Sequence, residues 1–326
     1  MGGYTESRRL MAGLFQQGRQ ATVNGKPESP SLTHRVRRIP RSAPLSEFIT
    51  AVEEDGCVII TDFTDKATVE QANEEVKPWL EKQDIGAKVG ALGGKTRTVT
   101  RLVGRSQTVR EKFFSDPIYQ ALCEHFLALE TTHWYGPNPL TTTSHPLLSI
   151  SITFDIPPGT PAQGLHRDDK NHHARHTKAE KYEKNRDMLL GLFVPGCNTS
   201  KANGATRIAP GSHLWGDDQP DFGPDGNHGV LDAEMQIGEA FIMLGSLYHG
   251  GGAYEKPVGS GGPESRTVHA MFSCTGVHRQ EEISFLSYSI EEVKTYSKLV
   301  QERLGWKQSE PNLGWVDLKS PEFLLQ

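Results

Sequence analysis

An imidazole and a carboxylate two positions apart, His166 and Asp168, stand in the stretch Pro161-Ala-Gln163-Gly-Leu-His166-Arg-Asp168-Asp169. In extended backbone, residues i and i+2 point the same way, so both side chains can aim at one point. They would supply two ligands of a 2-His-1-carboxylate facial triad, which leaves a non-haem iron(II) three open positions. The pair alone says little, because 13 histidines and 40 acidic residues generate such spacings by chance. A second imidazole must come from elsewhere. His249 follows the apolar run Gly238-Glu-Ala-Phe-Ile-Met-Leu-Gly245 and precedes Gly250, Gly251 and Gly252, which permit close approach of backbone and ligand. His213, in the polar turn Pro210-Gly-Ser-His213, competes with it and reads as structural or as support for the ligands. Further on, Arg266 offers a planar fork that binds a carboxylate through two hydrogen bonds. A 2-oxoglutarate co-substrate would present its far carboxylate there while its keto-acid end chelates the metal.

The elements that must hold these residues change character along the chain. Residues 1–44 are polar, rich in Arg, Ser and Pro, and read as an N-terminal arm; residues 45–326 read as one domain. Phe48, Ile49 and Val52 share a helical face that Gly56 ends, CVIITDF (57–63) reads as a strand, and Thr64 is placed to cap a helix carrying Val69, Ala72, Val76 and Leu80. Pro78 strains that helix. RTVTRLV (97–103) alternates like a strand, and Asp116-Pro117 opens a helix through Leu129. From about residue 147 to 290 the apolar runs are short, β-rich and separated by Gly/Pro loops: LLSISITFDI (147–156), DMLLGLFV (187–194), ATRIA (205–209), EAFIMLG (239–245) and RTVHAMFSC (266–274). Strands without intervening helices favour an antiparallel sandwich or barrel over a βαβ fold. A helical pattern returns in EEVKTYSKLVQERLGW (291–306).

Composition closes off other classes. A formal charge of −5 gives no basic footprint for nucleic acid, and no apolar stretch reaches the length of a membrane span. Cys57, Cys123, Cys197 and Cys274 form no CxxC pair, which reads as a reduced compartment, and cytoplasm is the expectation.

The motifs GLHRDD (164–169), NGATRIAPGSH (203–213), the segment 238–252 ending YHGGG, and SYSIEEVKTYSKLVQERLGW (287–306) resemble the phytanoyl-CoA dioxygenase superfamily, in particular its fungal members in natural-product biosynthesis. The resemblance covers roughly residues 45–306. It implies a mainly β protein with flanking α-helices, built on a double-stranded β-helix (jelly-roll, cupin-like) core, with Fe(II), 2-oxoglutarate and O₂ as reactants and ascorbate as a helpful reductant in vitro. Carried over by position, His166, Asp168 and His249 match the iron ligands. Gln163, Thr206, Arg266 and Arg101 match contacts to 2-oxoglutarate, with Arg105 close behind Arg101. The expected substrate is a hydrophobic small molecule, a fungal terpenoid, meroterpenoid or alkaloid intermediate, and a homodimer is implied. One spacing departs from the family. Arg266 follows His249 by seventeen residues, more than the family pattern, and the surplus falls in the Gly/Pro-rich stretch 255–264.

Trp134, Tyr135, Asp169 and His172 are candidates for the substrate pocket, each with a plainer reading: a core aromatic pair for the first two, and solvated or supporting groups for the others. The cluster Asn171-His172-His173-Ala-Arg-His176 invites a zinc site but reads as a loop beside the metal motif. His125 and His269 sit in apolar segments and read as satisfied core histidines. Two other functions use the same residues: a zinc hydrolase that activates water on His166, Asp168 and His249, and a jelly-roll binding protein without turnover.

Overall fold

The computed structural model describes residues 35–82, 96–255 and 264–326. In chain order, β1 (Arg38–Pro40), α1 (Leu45–Asp55), β2 (Cys57–Thr61) and α2 (Lys66–Glu81) are followed by β3 (Arg97–Val99), α3 (Leu102–Arg105) and α4 (Pro117–Leu127). A hairpin of β4 (Leu129–Tyr135) and β5 (Asn138–Ser144) leads into β6 (Leu147–Ile156), β7 (Leu189–Pro195), β8 (Thr206–Ile208) and β9 (Leu231–Ala233). Then come β10 (Ala240–Leu244), β11 (His249–Gly251) and β12 (Arg266–Cys274), and three short helices: α5 (Ser284–Ser287), α6 (Ile290–Lys294) and α7 (Lys298–Arg303).

Seven strands form one sheet in the order β1-β2-β10-β7-β12-β6-β3, and β11-β8-β9 form a second. Every pairing in them is antiparallel except β1 with β2. Period-2 alternation builds two cores from one set of strands. Ile59, Phe193, Phe241, Met243, Val268, Ala270 and Phe272 point toward Ile208 and Ala233 of the small sheet. Their neighbours Val58, Ile60, Leu190, Leu192, Val194, Ile242, Leu244 and Met271 point to the opposite face, where Phe48, Val52, Val69, Val76, Leu122 and Phe126 of the helices cover them. Each such fully buried side chain contributes roughly 1.5–3 kcal/mol against exposure. The result is a mainly β jelly roll with helices on its outer face.

Several boundaries differ from the sequence reading. Arg38 and Ile39 pair with Ile59 and Ile60, so the sheet begins inside the segment read as an arm; residues 1–34 lie outside the described part. The β-core is likewise not confined to 147–290, because β10 takes β2 as its outer partner, leaving neither edge of β10 bare. Asp65, not Thr64, caps α2, its carboxylate accepting from the Thr68 amide at 2.7 Å. The strand read over 97–103 stops at Val99, because Arg101 adopts φ 54° and turns the chain so that Leu102 and Val103 are buried from α3. The terminal helix is broken, with Ser289 and Ser297 each capping a new start. The β4–β5 hairpin, missed in the sequence, has few buried residues to give an alternating signal.

Candidate metal and co-substrate site

His166 leaves a coil and His249 opens β11, and the two form an isolated antiparallel bridge: each amide donates to the other's carbonyl, at 2.8 and 2.9 Å. The bridge sets the imidazoles side by side, with ring centroids 4.6 Å apart. Each ring is also keyed at its far nitrogen. His166 Nδ1 lies 2.8 Å from the Gly164 carbonyl and His249 Nδ1 lies 3.0 Å from the Leu247 carbonyl. A carbonyl only accepts, so Nδ1 carries the proton and Nε2 is left as a lone-pair donor. Asp168 stands between the two Nε2 atoms, 3.4 Å from that of His166 and 3.2 Å from that of His249. The three ligand atoms lie within 4.8 Å of one another, and this is the one such group found among the described residues. Burial opposes ionisation of Asp168, yet the charge of His249 and hydrogen bonds from both imidazoles, which need an Nε2 proton that a bound ion would replace, outweigh it and hold the carboxyl well below the usual carboxylate range. A doubly charged ion suits this donor set.

A cavity of about 370 Å³ is lined by these three residues. Its walls are largely apolar, from Ile150, Ile152, Phe154 and Ile156 of β6, Val268 and Phe272 of β12 and Phe193 of β7. Gln163, Thr206, Gly251 and Arg266 gather at one part of it. Thr206 pairs with Gly251, whose amide donates to Gln163 Oε1 at 2.7 Å. A methyl group on Gly251 would sit 2.9 Å from that oxygen and 3.8 Å from Arg266 Nη2, so the absence of a side chain there keeps the space beside the guanidinium open. Gly252 serves the backbone instead: a Cβ would meet the Ala205 carbonyl at 2.6 Å.

Arg266 opens β12 opposite Ile156 and is 3% exposed. Its Nε has no hydrogen-bond partner, and it takes part in no ion pair among the described residues. Burial pushes its pKa down to about 10, which leaves it charged at neutral pH. A buried cation without a counter-ion is costly. The long spacing after His249 has not displaced it from the cavity; most of the surplus, residues 256–263, lies outside the described part.

Other candidates fall elsewhere. Arg101 does not line the cavity: its guanidinium pairs with Glu292 at 3.3 Å and stacks on Tyr288, and its amide donates to Glu282. Arg105 packs over Trp79. Trp134 and Tyr135 sit on the β4–β5 hairpin, 67% and 59% exposed, neither core nor cavity. His172 packs edge-on against His278. His213 is buried against Gly56, with Nε2 3.0 Å from the Glu53 carbonyl, and burial pushes it down to about 4, so it stays neutral. His269 is satisfied in the core by Thr153 and Asn73. His125 is half-exposed and pairs with Glu53. Four polar lining residues went unassigned by the sequence reading: Thr96, Thr160, Asn171 and Glu281. Asn171 at least lies in the histidine cluster that follows His166 and Asp168; Glu281 has no local signal.

Asp169 is fully buried and turned away from the cavity. It bonds His176 Nε2 at 2.7 Å, and its amide donates to the Gly245 carbonyl, clamping the HxD loop to the turn ahead of β11. Behind it, Asp187 accepts from Ser246 but is so buried that its carboxyl is raised to about 6, desolvation outweighing that hydrogen bond, with Asp169 adding to the rise. Its folded pKa exceeds its ordinary 3.8, so the folded state binds the extra proton. Stability is therefore full below pH ~4 and falls as pH rises through ~6. Asp187→Asn is expected to remove that slope and to gain on the order of 2–3 kcal/mol at pH 8, as read by urea denaturation across pH. A slope unchanged in the variant would assign it elsewhere.

This fold and this donor set define a class, the jelly-roll non-haem oxygenases. Residues 52–255 match the family described as phytanoyl-CoA dioxygenase (PhyH), and the chain belongs to that family. It is similar to dioxygenase himG of Aspergillus japonicus, 32% identical over 288 residues covering 85% of this chain and 86% of that one. Dioxygenase peniF of Penicillium patulum is 31% identical over 312 residues, 93% of this chain and 96% of that one. Among solved structures, the epimerase SnoN in complex with Fe3+, alpha ketoglutarate and nogalamycin RO shares the fold, with a TM-score of 0.51 at 16% identity over 74% of this chain and 88% of that one. Among the described residues no helix is long and apolar enough to cross a membrane.

Proposed function

We propose that this protein is an Fe(II)- and 2-oxoglutarate-dependent dioxygenase that oxidises a hydrophobic small molecule, a fungal terpenoid, meroterpenoid or alkaloid intermediate. The observation that carries the reading is Arg266, a buried cation with no counter-ion among the described residues, opening into the same cavity as the His166, Asp168 and His249 donors. A dicarboxylate that also binds a metal would answer both. His166, Asp168 and His249 would hold the iron, and Arg266 with Thr206 would receive the far carboxylate, beside Gln163. Iron(II) with 2-oxoglutarate and O₂ supplies the oxidising equivalents for an unactivated C–H, with succinate and CO₂ as co-products. The protein's share is orientation and exclusion of water. The Nδ1–carbonyl bonds fix the ring planes, and the apolar walls of β6, β7 and β12 keep water from competing. Whether the outcome is hydroxylation, desaturation, epoxidation or rearrangement follows from how the substrate lies against those walls. The SnoN complex with Fe3+ and alpha ketoglutarate and the fungal dioxygenases support the reading by likeness.

The test is reconstitution without oxygen with Fe(II) or Zn(II), then exposure to O₂ with 2-oxoglutarate, ascorbate and extracts of a producing fungus. Succinate formed with iron and new oxidised products by mass spectrometry are expected. Turnover with zinc that ignores 2-oxoglutarate would instead establish the hydrolase, and silence in every arm a binding protein.

A further inference from the structure

We infer that the substrate carries a protonated amine on its hydrophobic body, and that Glu281 is the group that receives it. The inference deepens the proposed function and rests on its choice of substrate cavity. Besides the two metal-facing histidines, the ionisable residues that line the cavity, among the described residues, are Asp168, Arg266 and Glu281. Asp168 and Arg266 carry opposite charges and cancel each other. An iron(II) ion and a 2-oxoglutarate dianion, when bound, also cancel. Glu281 is then the charge left over among the described lining residues.

Its surroundings orient that charge without neutralising it. Asn171 Nδ2 donates to one carboxylate oxygen at 2.8 Å, and Ser149 Oγ donates to the other at 3.0 Å. Both donors are neutral, and each oxygen keeps acceptor capacity. Glu281 takes part in no ion pair among the described residues, while nearby Arg101 is held by Glu282 and Glu292. Position agrees with charge. Ile156, at one end of β6, pairs with Arg266, whereas Ile150, next to Ser149, pairs with Phe272. Those ends are roughly 20 Å apart at strand rise, so the carboxylate and the guanidinium occupy opposite ends of the cavity. Asn171 follows Asp168 by three residues of 3-10 helix, about 6 Å of rise. A cation seated on Glu281 would thus lay its apolar body along Ile150, Ile152 and Phe272 toward the metal ligands.

The test is isothermal calorimetry with matched amine and alcohol probes, tryptamine against tryptophol and phenethylamine against phenethyl alcohol. It is run on metal-free protein and, without oxygen, on protein loaded with Fe(II) and 2-oxoglutarate. The wild type should favour the amines about tenfold in both states, less than for a dry pair because solvent reaches the carboxylate. Glu281→Gln, which keeps shape and removes charge, should bring amine and alcohol within about twofold, and Glu281→Lys should reverse the order. A wild type that holds both probes equally, or neither, overturns the inference, as does a preference that survives in Glu281→Gln. Because Glu281 and its two neutral donors are in place without metal, the metal-free arm decides this point even if iron and 2-oxoglutarate prove not to bind.

Discussion

Arg266→Met is expected to make the ligand-free protein more stable while removing its response to 2-oxoglutarate. The guanidinium is 3% exposed and its Nε is unpartnered, so the folded state bears a desolvation cost that the unfolded chain escapes. An unbranched apolar side chain of comparable reach fills the space without that cost, and a gain of about 1–3 kcal/mol is expected. The same change removes the partner of a buried carboxylate. Weakening of 2-oxoglutarate binding by ~30-fold or more follows from the roughly 2–5 kcal/mol typical of such truncations. Urea denaturation with and without metal and co-substrate checks both halves. Loss of stability in the ligand-free variant, with 2-oxoglutarate binding intact, would mean that Arg266 serves the fold and not a ligand. The trade is informative because stability and function move in opposite directions.

His249→Ala should abolish turnover and release the metal. Asp168 then loses the imidazole 3.2 Å from its carboxylate, and the remaining pair cannot enclose an ion. Metal affinity should fall by more than the ~10–100-fold that loss of an outer partner typically costs, measured by dialysis against a chelator followed by elemental analysis. His213→Ala is the control. That ring is neutral and packs on Gly56, so its loss should cost stability and leave metal content alone. If His213→Ala were the variant to lose metal, the ligand assignment would be overturned.

The residues that were legible share one property: their signal is local. Asp116 and Pro117 opened α4 as read, because cap and first-turn preferences act within a few residues. The strand pattern of 147–156 already held the cavity wall, since Ile150, Ile152, Phe154 and Ile156 are its alternate positions. What alternation cannot say is which face meets a ligand. Arg101 illustrates the opposite failure. Its place in the chain suited a co-substrate contact, but its left-handed backbone and the Glu292 carboxylate, 191 positions away, turned it to other work.

His166 and Asp168 were therefore determined by the sequence itself as a pair aimed at one point, because i and i+2 geometry is a property of extended backbone. The triad was not. His249 reaches them only through an antiparallel bridge between distant segments, and Arg266 becomes a cation in search of an anion only once β6, β7 and β12 have sealed it from water. Glu281 and Asn171, 110 positions apart, meet for the same reason. Periodicity fixes what a residue can face along its own strand. Burial and the loss of solvent screening, which give charges their chemical meaning, exist only after the sheets have closed.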